Sequence, residues 1–128
     1  MKRLLLFVTI ICLSFSALPQ GVVKSFKFAI VTDTHIGNPN NDTDLCRTVQ
    51  DINGQSDIEF VIVSGDVTEF GSDLEITTAK NILSGLQKPY YVLPGNHDSN
   101  WSESGTNSFL RIFGAETFGF EHKGYRFI

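Results

Sequence analysis

The chain has 128 residues, 41% of them hydrophobic and 19% charged, and a net charge of −4, which bounds it to a single domain. It carries no basic stripe of the kind a nucleic-acid duplex requires, so no nucleic-acid partner is expected. Two cysteines exclude a disulfide framework and a thiolate-held structural zinc, whereas an acidic excess suits a cation site.

In chain order, Lys2-Arg3 precedes an apolar run from Leu4 to Leu13 and the small residues of Ser14-Phe15-Ser16-Ala17, the layout of a secretory signal peptide over 1–17, with a short linker over 18–25. The apolar run is shorter than the ~20 residues of a membrane span. The residues before Cys12, Thr9-Ile10-Ile11, are not those of a lipidation site. Secretion or periplasmic export without a stable membrane anchor is therefore expected. Cleavage would remove Lys2 and Arg3, move the net charge from −4 to −6, and leave Cys46 as the single cysteine.

Three short apolar stretches, Phe26–Val31, Phe60–Ser64 and Tyr90–Leu93, read as buried strands. Between the first two, Leu45, Val49 and Ile52 recur at helical spacing over 42–53, with Asp42 or Thr43 as cap and Asn53-Gly54 as stop. Cys46 on this helix is expected to be buried as a small apolar group. Between the second and third, Ser72-Asp73-Leu74-Glu75 fits a capping box, and Ile76, Ala79, Leu83 and Leu86 line one helical face before Pro89. Strand and helix alternate as in βαβ units with right-handed crossovers, and the helices are expected to cover both faces of a parallel sheet.

Beyond Asp98 the stretch 99–107 is polar, with Trp101 its one large apolar group. A short helix over Ser108–Phe113 follows, then strands over Thr117–Glu121 and Tyr125–Ile128 joined by a turn at His122-Lys123-Gly124. The 11 phenylalanines are expected to be core. Because the chain ends on an apolar strand residue, a piece truncated at its C-terminal side is expected.

Chemistry collects where the strands end. Asp33-Thr34-His35, Gly65-Asp66 and Gly95-Asn96-His97-Asp98 each follow one of the three strands, at the sheet edge where α/β proteins assemble their sites. Carboxylates, an imidazole and an amide oxygen are hard-to-borderline ligands suited to Mn, Fe, Zn or Mg. Alternation at an extended strand end would turn Asp33 and His35 to one side. Gly65 would allow a tight turn that aims Asp66 into the crevice, and Gly95 would do the same for Asn96. His97 can donate to a phosphoryl oxygen or a leaving group, with Asp98 placed to orient it. Taken singly, each run reads better as an ordinary turn or loop cap, and only jointly do they point to a site; Glu69 reads as a loop carboxylate near the site rather than a ligand, and Asp42 and Asp44 as cap and solvated charge.

Together these three runs, in this order and separated by 33 and 30 residues, resemble the calcineurin-like metallophosphoesterase family, whose opening motifs are D-x-H, G-D-x-x and G-N-H-[DE]. The resemblance covers 26–128 and implies an α/β fold, the N-terminal half of a β-sandwich flanked by helices. It implies Asp33 and His35 on a first divalent ion, Asp66 bridging, Asn96 on a second, His97 as catalytic histidine and Asp98 beside it. It also implies two metal ions (Mn, Fe or Zn), a phosphate ester substrate, and hydrolysis by attack of a bridging hydroxide at a dinuclear centre. The family's later histidine motifs, an isolated His and a G-H-x-H, have no counterpart here. His122 reads as a solvated turn residue. The alternative is a non-catalytic fragment or degenerate module holding at most one metal.

Overall fold

The computed structural model describes residues 24–102 and 104–128; the expected leader over 1–17, Cys12 and most of the linker lie outside the described residues. Three strands, β1 (Lys27–Val31), β2 (Ile58–Ser64) and β3 (Tyr90–Leu93), pair in parallel in the order β1-β2-β3. The crossovers are helices α1 (Asn41–Gly54) and α2 (Asp73–Leu83). The expected mixed α/β architecture with a parallel sheet and flanking helices is therefore present.

One expectation is corrected: α1 and α2 cover the same face of the sheet. Their buried side chains, Leu45, Val49 and Ile52 from α1 and Ile76, Ala79 and Leu83 from α2, join Val61, Val63 and Val92 in one core. Strand order progresses in one direction, so two right-handed crossovers must lie on one side; covering both sides requires a reversal of strand order. Each of these larger side chains contributes roughly 1.5–3 kcal/mol on burial.

The other face carries Phe28, Ile30, Phe60, Ile62 and Tyr91. It is covered in part by a hairpin of β4 (Phe120–His122) and β5 (Tyr125–Phe127). Phe120 stacks on Tyr91 at 3.9 Å, Phe127 meets Phe60 edge-on at 5.2 Å, and Phe28 stacks on Phe60 at 4.9 Å. Much of the aromatic content thus forms this second packing layer, while Ile30 remains 63% exposed. The hairpin turns through Lys123 (φ 48°) and Gly124 (φ 89°), two consecutive positive φ values whose twist matches the strands.

Local signals account for the start of α2 but not for that of α1. Ser72 caps α2 as expected, its Oγ accepting from the Glu75 amide while Glu75 accepts from the Ser72 amide at 3.0 Å. At α1 neither Asp42 nor Thr43 caps: the cap is Asn40, at φ 72°. Asn41 instead donates through its side chain to the carbonyls of Thr34 and His35 at 2.9 and 3.0 Å, tethering the helix start to the loop after β1. Cys46 is exposed, against expectation, because it follows the buried Leu45 and is rotated about 100° off the core-facing stripe.

His122 is likewise not a solvated turn residue. Its Nε2 lies 2.7 Å from Glu59 Oε2, and its ring packs edge-on against Phe26 and Phe60. It pins the hairpin to the start of β2. The short helix expected near the C-terminal side is α4 (Asn107–Phe113), and a helical turn not anticipated, α3 (Asn96–Ser99), follows β3.

Candidate functional site

The three loops leaving the C-terminal ends of β1, β2 and β3 are sewn to one another by backbone bonds. Asp33 N–H donates to Gly65 C=O at 3.2 Å, His35 N–H to Asp66 C=O at 3.1 Å, and Ile36 N–H to Val67 C=O at 2.9 Å. The β1–β2 pairing thus continues as a ribbon past both strand ends, and Asn41 and Thr34 fasten it from the side, the latter through a 2.8 Å bond to Val67 C=O.

This ribbon is not extended backbone. Asp33, His35 and Asp66 hold φ values of 55°, 44° and 48°, and Gly65 holds 92°. The pleat alternation expected to align Asp33 with His35 is therefore replaced by successive left-handed turns. Such conformations are disfavoured for non-glycine residues and concentrate where a site over-determines them.

Gly95 also works differently from the expectation. Its φ is −100°, open to any residue, so no special backbone freedom is needed. What requires glycine is close approach: a Cβ there would lie 2.0 Å from Asp66 Oδ1 and 2.3 Å from Asp66 N. The loops after β2 and β3 pack backbone against backbone, and His97 N–H donates to Asp66 Oδ1 at 3.1 Å.

The result is a cluster of ligand atoms from three loops. His35, Asp66 and His97, all half-buried, each offer one donor atom, and the three atoms lie within 4.8 Å of one another. Asp33 stands beside them, its Oδ1 3.8 Å from His35 Nε2, while its Oδ2 accepts from the Thr32 hydroxyl at 2.6 Å. Asn96 opens α3 and is exposed. Thus Asp33 lies at the edge of the cluster, and His97 stands with the ligands instead of apart from them.

The environments of the two imidazoles differ. His97 Nδ1 lies 2.8 Å from the Glu69 carbonyl oxygen; a carbonyl only accepts, so Nδ1 carries the proton and Nε2 is the nitrogen left for chemistry. The rings of His35 and His97 meet edge-on at 4.7 Å, and Trp101 packs against His97 at 3.9 Å. His35 Nδ1 is buried 2.9 Å from Glu69 Oε2, yet it makes no hydrogen bond to any of the described residues. Such an orphaned nitrogen beside a carboxylate, with a second imidazole and Asp66 at hand, fits a cation-binding donor set.

Asp98 does not orient His97. Its carboxylate, fully buried, accepts from the amides of Val67 (3.0 Å), Thr68 (2.8 Å) and Gly95 (2.8 Å) and from the Thr68 hydroxyl (2.6 Å). It closes the loop after β3 onto the loop after β2, and the Glu69 carbonyl does the work of holding the imidazole. Glu69 itself, three residues past Asp66, is a loop carboxylate beside the site, as its sequence position suggested, with Asn38 donating to its Oε2 at 2.8 Å. The contact of Trp101 with His97 had no sequence signal, because no periodicity marks 99–107.

The family model for calcineurin-like phosphoesterases matches residues 26–127. A probable cyclic nucleotide phosphodiesterase of Rhodopseudomonas palustris is 36% identical over 80 residues, 56% of this chain and 29% of that protein. A probable glycerophosphodiester phosphodiesterase of Arcobacter nitrofigilis is 32% identical over 78 residues (54% and 29%), and a glycerophosphodiester phosphodiesterase of Enterobacter lignolyticus is 30% identical over 79 (55% and 28%). The matched part of this chain spans less than a third of the length of these curated relatives.

Proposed function

Because the chain belongs to the calcineurin-like phosphoesterase family, we propose that it serves the metal-dependent hydrolysis of a phosphoric ester, mono- or diester. The observation that carries this reading is the convergence of His35, Asp66 and His97 within 4.8 Å beside the unpartnered Nδ1 of His35. Asp33 and His35 would hold a first divalent ion, Asp66 would be shared, and Asn96 would serve a second. Divalent ions (Mn, Fe or Zn) held there would supply positive charge for phosphoryl oxygens and would make a bound water acidic enough to attack phosphorus near neutral pH.

The chain's own groups do the rest. With Nδ1–H committed to the Glu69 carbonyl, a protonated His97 would use Nε2–H to steady a phosphoryl oxygen or protonate the departing alkoxide. Trp101 screens one side of that imidazole from water. Asp98 acts by holding the Gly95 turn against Val67 and Thr68, so that Asp66 and His97 stay in register. The basic-then-apolar start over 1–17 supports an exported setting.

The test is hydrolysis of p-nitrophenyl phosphate and bis(p-nitrophenyl) phosphate by the chain after dialysis against Mn²⁺ or EDTA, with His97→Ala beside it. Metal-dependent turnover that the variant loses supports the reading. A second reading, a non-catalytic module holding one ion, is favoured by the three-donor cluster, which suits a single cation; a folded, metal-loaded sample with no turnover would select it.

A further inference from the structure

Next to His97 the surface opens into a cavity of about 630 Å³ whose two apolar walls are Phe70 and Trp101 and whose floor carries the hydroxyls of Ser102, Ser104 and Ser108. Both walls are unusually open for such large side chains, 63% and 61% exposed. The volume is in the range of small-molecule sites, which combine apolar walls with a few fixed polar groups.

Both walls connect to the candidate centre. Trp101 packs on the His97 ring at 3.9 Å. Phe70 directly follows Glu69, whose carbonyl accepts from His97 Nδ1. Trp101 is thus shared between the imidazole on one side and the cavity on the other.

The walls are also preformed. Phe70 N–H donates to Glu75 Oε2 at 3.2 Å, Gly71 N–H to the buried Thr68 hydroxyl at 3.0 Å, and the Ser102 hydroxyl to Gly71 C=O at 3.0 Å. Gly71 holds φ 63°, and a Cβ there would lie 2.6 Å from the Ser102 Cβ, so the two loops meet at a distance only glycine permits. Rigid walls lower the ordering cost of binding.

The chemistry of the lining selects the occupant. Asp73 at the rim is already paired with Arg111 at 2.5 Å, which leaves no uncompensated charge among the described lining residues. Two exposed aromatic side chains favour a flat π-system, and the hydroxyl oxygens on the floor, whose protons are held within the protein by bonds such as those from Ser102 to Gly71 C=O and from Ser104 to Ser108, offer acceptor lone pairs to its polar edge. We propose that this cavity is the subsite for a planar aromatic group carried by the phosphoester, whose phosphate lies at His35, Asp66 and His97. The proposal rests on the phosphoesterase reading above and names its substrate class.

Trp101 is the chain's single tryptophan, so intrinsic fluorescence reports on this wall directly. The experiment titrates phenylphosphonate and methylphosphonate, which are not hydrolysed, into the Zn²⁺-loaded full chain. Phenylphosphonate is expected to perturb Trp101 emission and to bind at least about tenfold more tightly, the equivalent of one aromatic contact. Phe70→Ala is expected to abolish that margin, and Phe70→Leu not to restore it; Phe70 is exposed enough for both variants to fold. Equal binding of the two phosphonates, no binding of either, or a margin untouched in Phe70→Ala would overturn the subsite. Ester hydrolysis without an aromatic margin would sink the subsite and leave the phosphoesterase reading standing, whereas an aromatic margin in a chain that turns over no ester would do the reverse.

Discussion

Thr68 donates a 2.6 Å hydrogen bond from its hydroxyl to Asp98 Oδ1 across 30 residues of sequence, with both side chains fully buried. A buried carboxylate is tolerable only when its lone pairs are filled, and here two backbone loops fill the rest. Replacing Asp98 with Asn puts an amide N–H₂ against donors. The expected cost is roughly 3 kcal/mol in unfolding free energy, from buried donors left without an acceptor. Urea denaturation of the variant measures it, and a loss below about 1 kcal/mol would show that the network does not hold the loops.

Gly95→Ala tests the close approach of the loops after β2 and β3. The backbone at Gly95 already suits alanine, so the whole effect is the methyl group driven against Asp66 Oδ1 and its amide. Overpacking of about 1–3 kcal/mol is expected, with Asp66 displaced and Mn²⁺ binding weakened. Thermal unfolding and calorimetric titration on the same sample separate the two effects.

Glu69→Gln tests whether the carboxylate beside His35 Nδ1 tunes that ring as a metal ligand. Loss of the negative charge beside the donor atoms is expected to weaken Mn²⁺ binding in titrations. The fold should survive, since the contact to His97 uses the Glu69 main chain. Unchanged affinity would remove Glu69 from the site.

Acid should loosen the hairpin before the helical face of the sheet. The hydrogen bond from Lys123, and then that from His122, hold the Glu59 carboxyl below its ordinary value of 4.5 against an opposing desolvation effect. A depressed folded pKa means that the folded protein binds fewer protons. The contribution is therefore complete above the unfolded value and is lost as pH falls through the folded one. Denaturant midpoints of the native chain and Glu59→Gln should converge as pH drops from 7 to below 4; parallel curves would show that the pair contributes nothing.

Phe60→Ala removes the ring on which Phe28, Phe120 and Phe127 pack. A loss of about 3–5 kcal/mol is expected, with the near-ultraviolet dichroism of the aromatic layer reduced. An intact aromatic signal would show that the hairpin docks by other contacts.

Composition, periodicity and motif order were enough to place the three parallel strands, the two long helices, the Ser72 capping box and the family, because each depends on residues within a few positions or on a fixed order of short runs. They also named His35, Asp66 and His97 as chemistry at strand ends. Tertiary structure alone decided what those residues meet. That both helices share one face follows from strand order, which no single segment encodes. That Asp98 serves Val67 and Thr68 rather than His97, that Gly95 is required by Asp66 and not by its own φ, and that His122 docks on Glu59 are contacts spanning about 30 to 60 residues. Local propensity sets the backbone of a segment, but the partner of a buried polar group is chosen by whichever distant group the packed fold brings within hydrogen-bond reach.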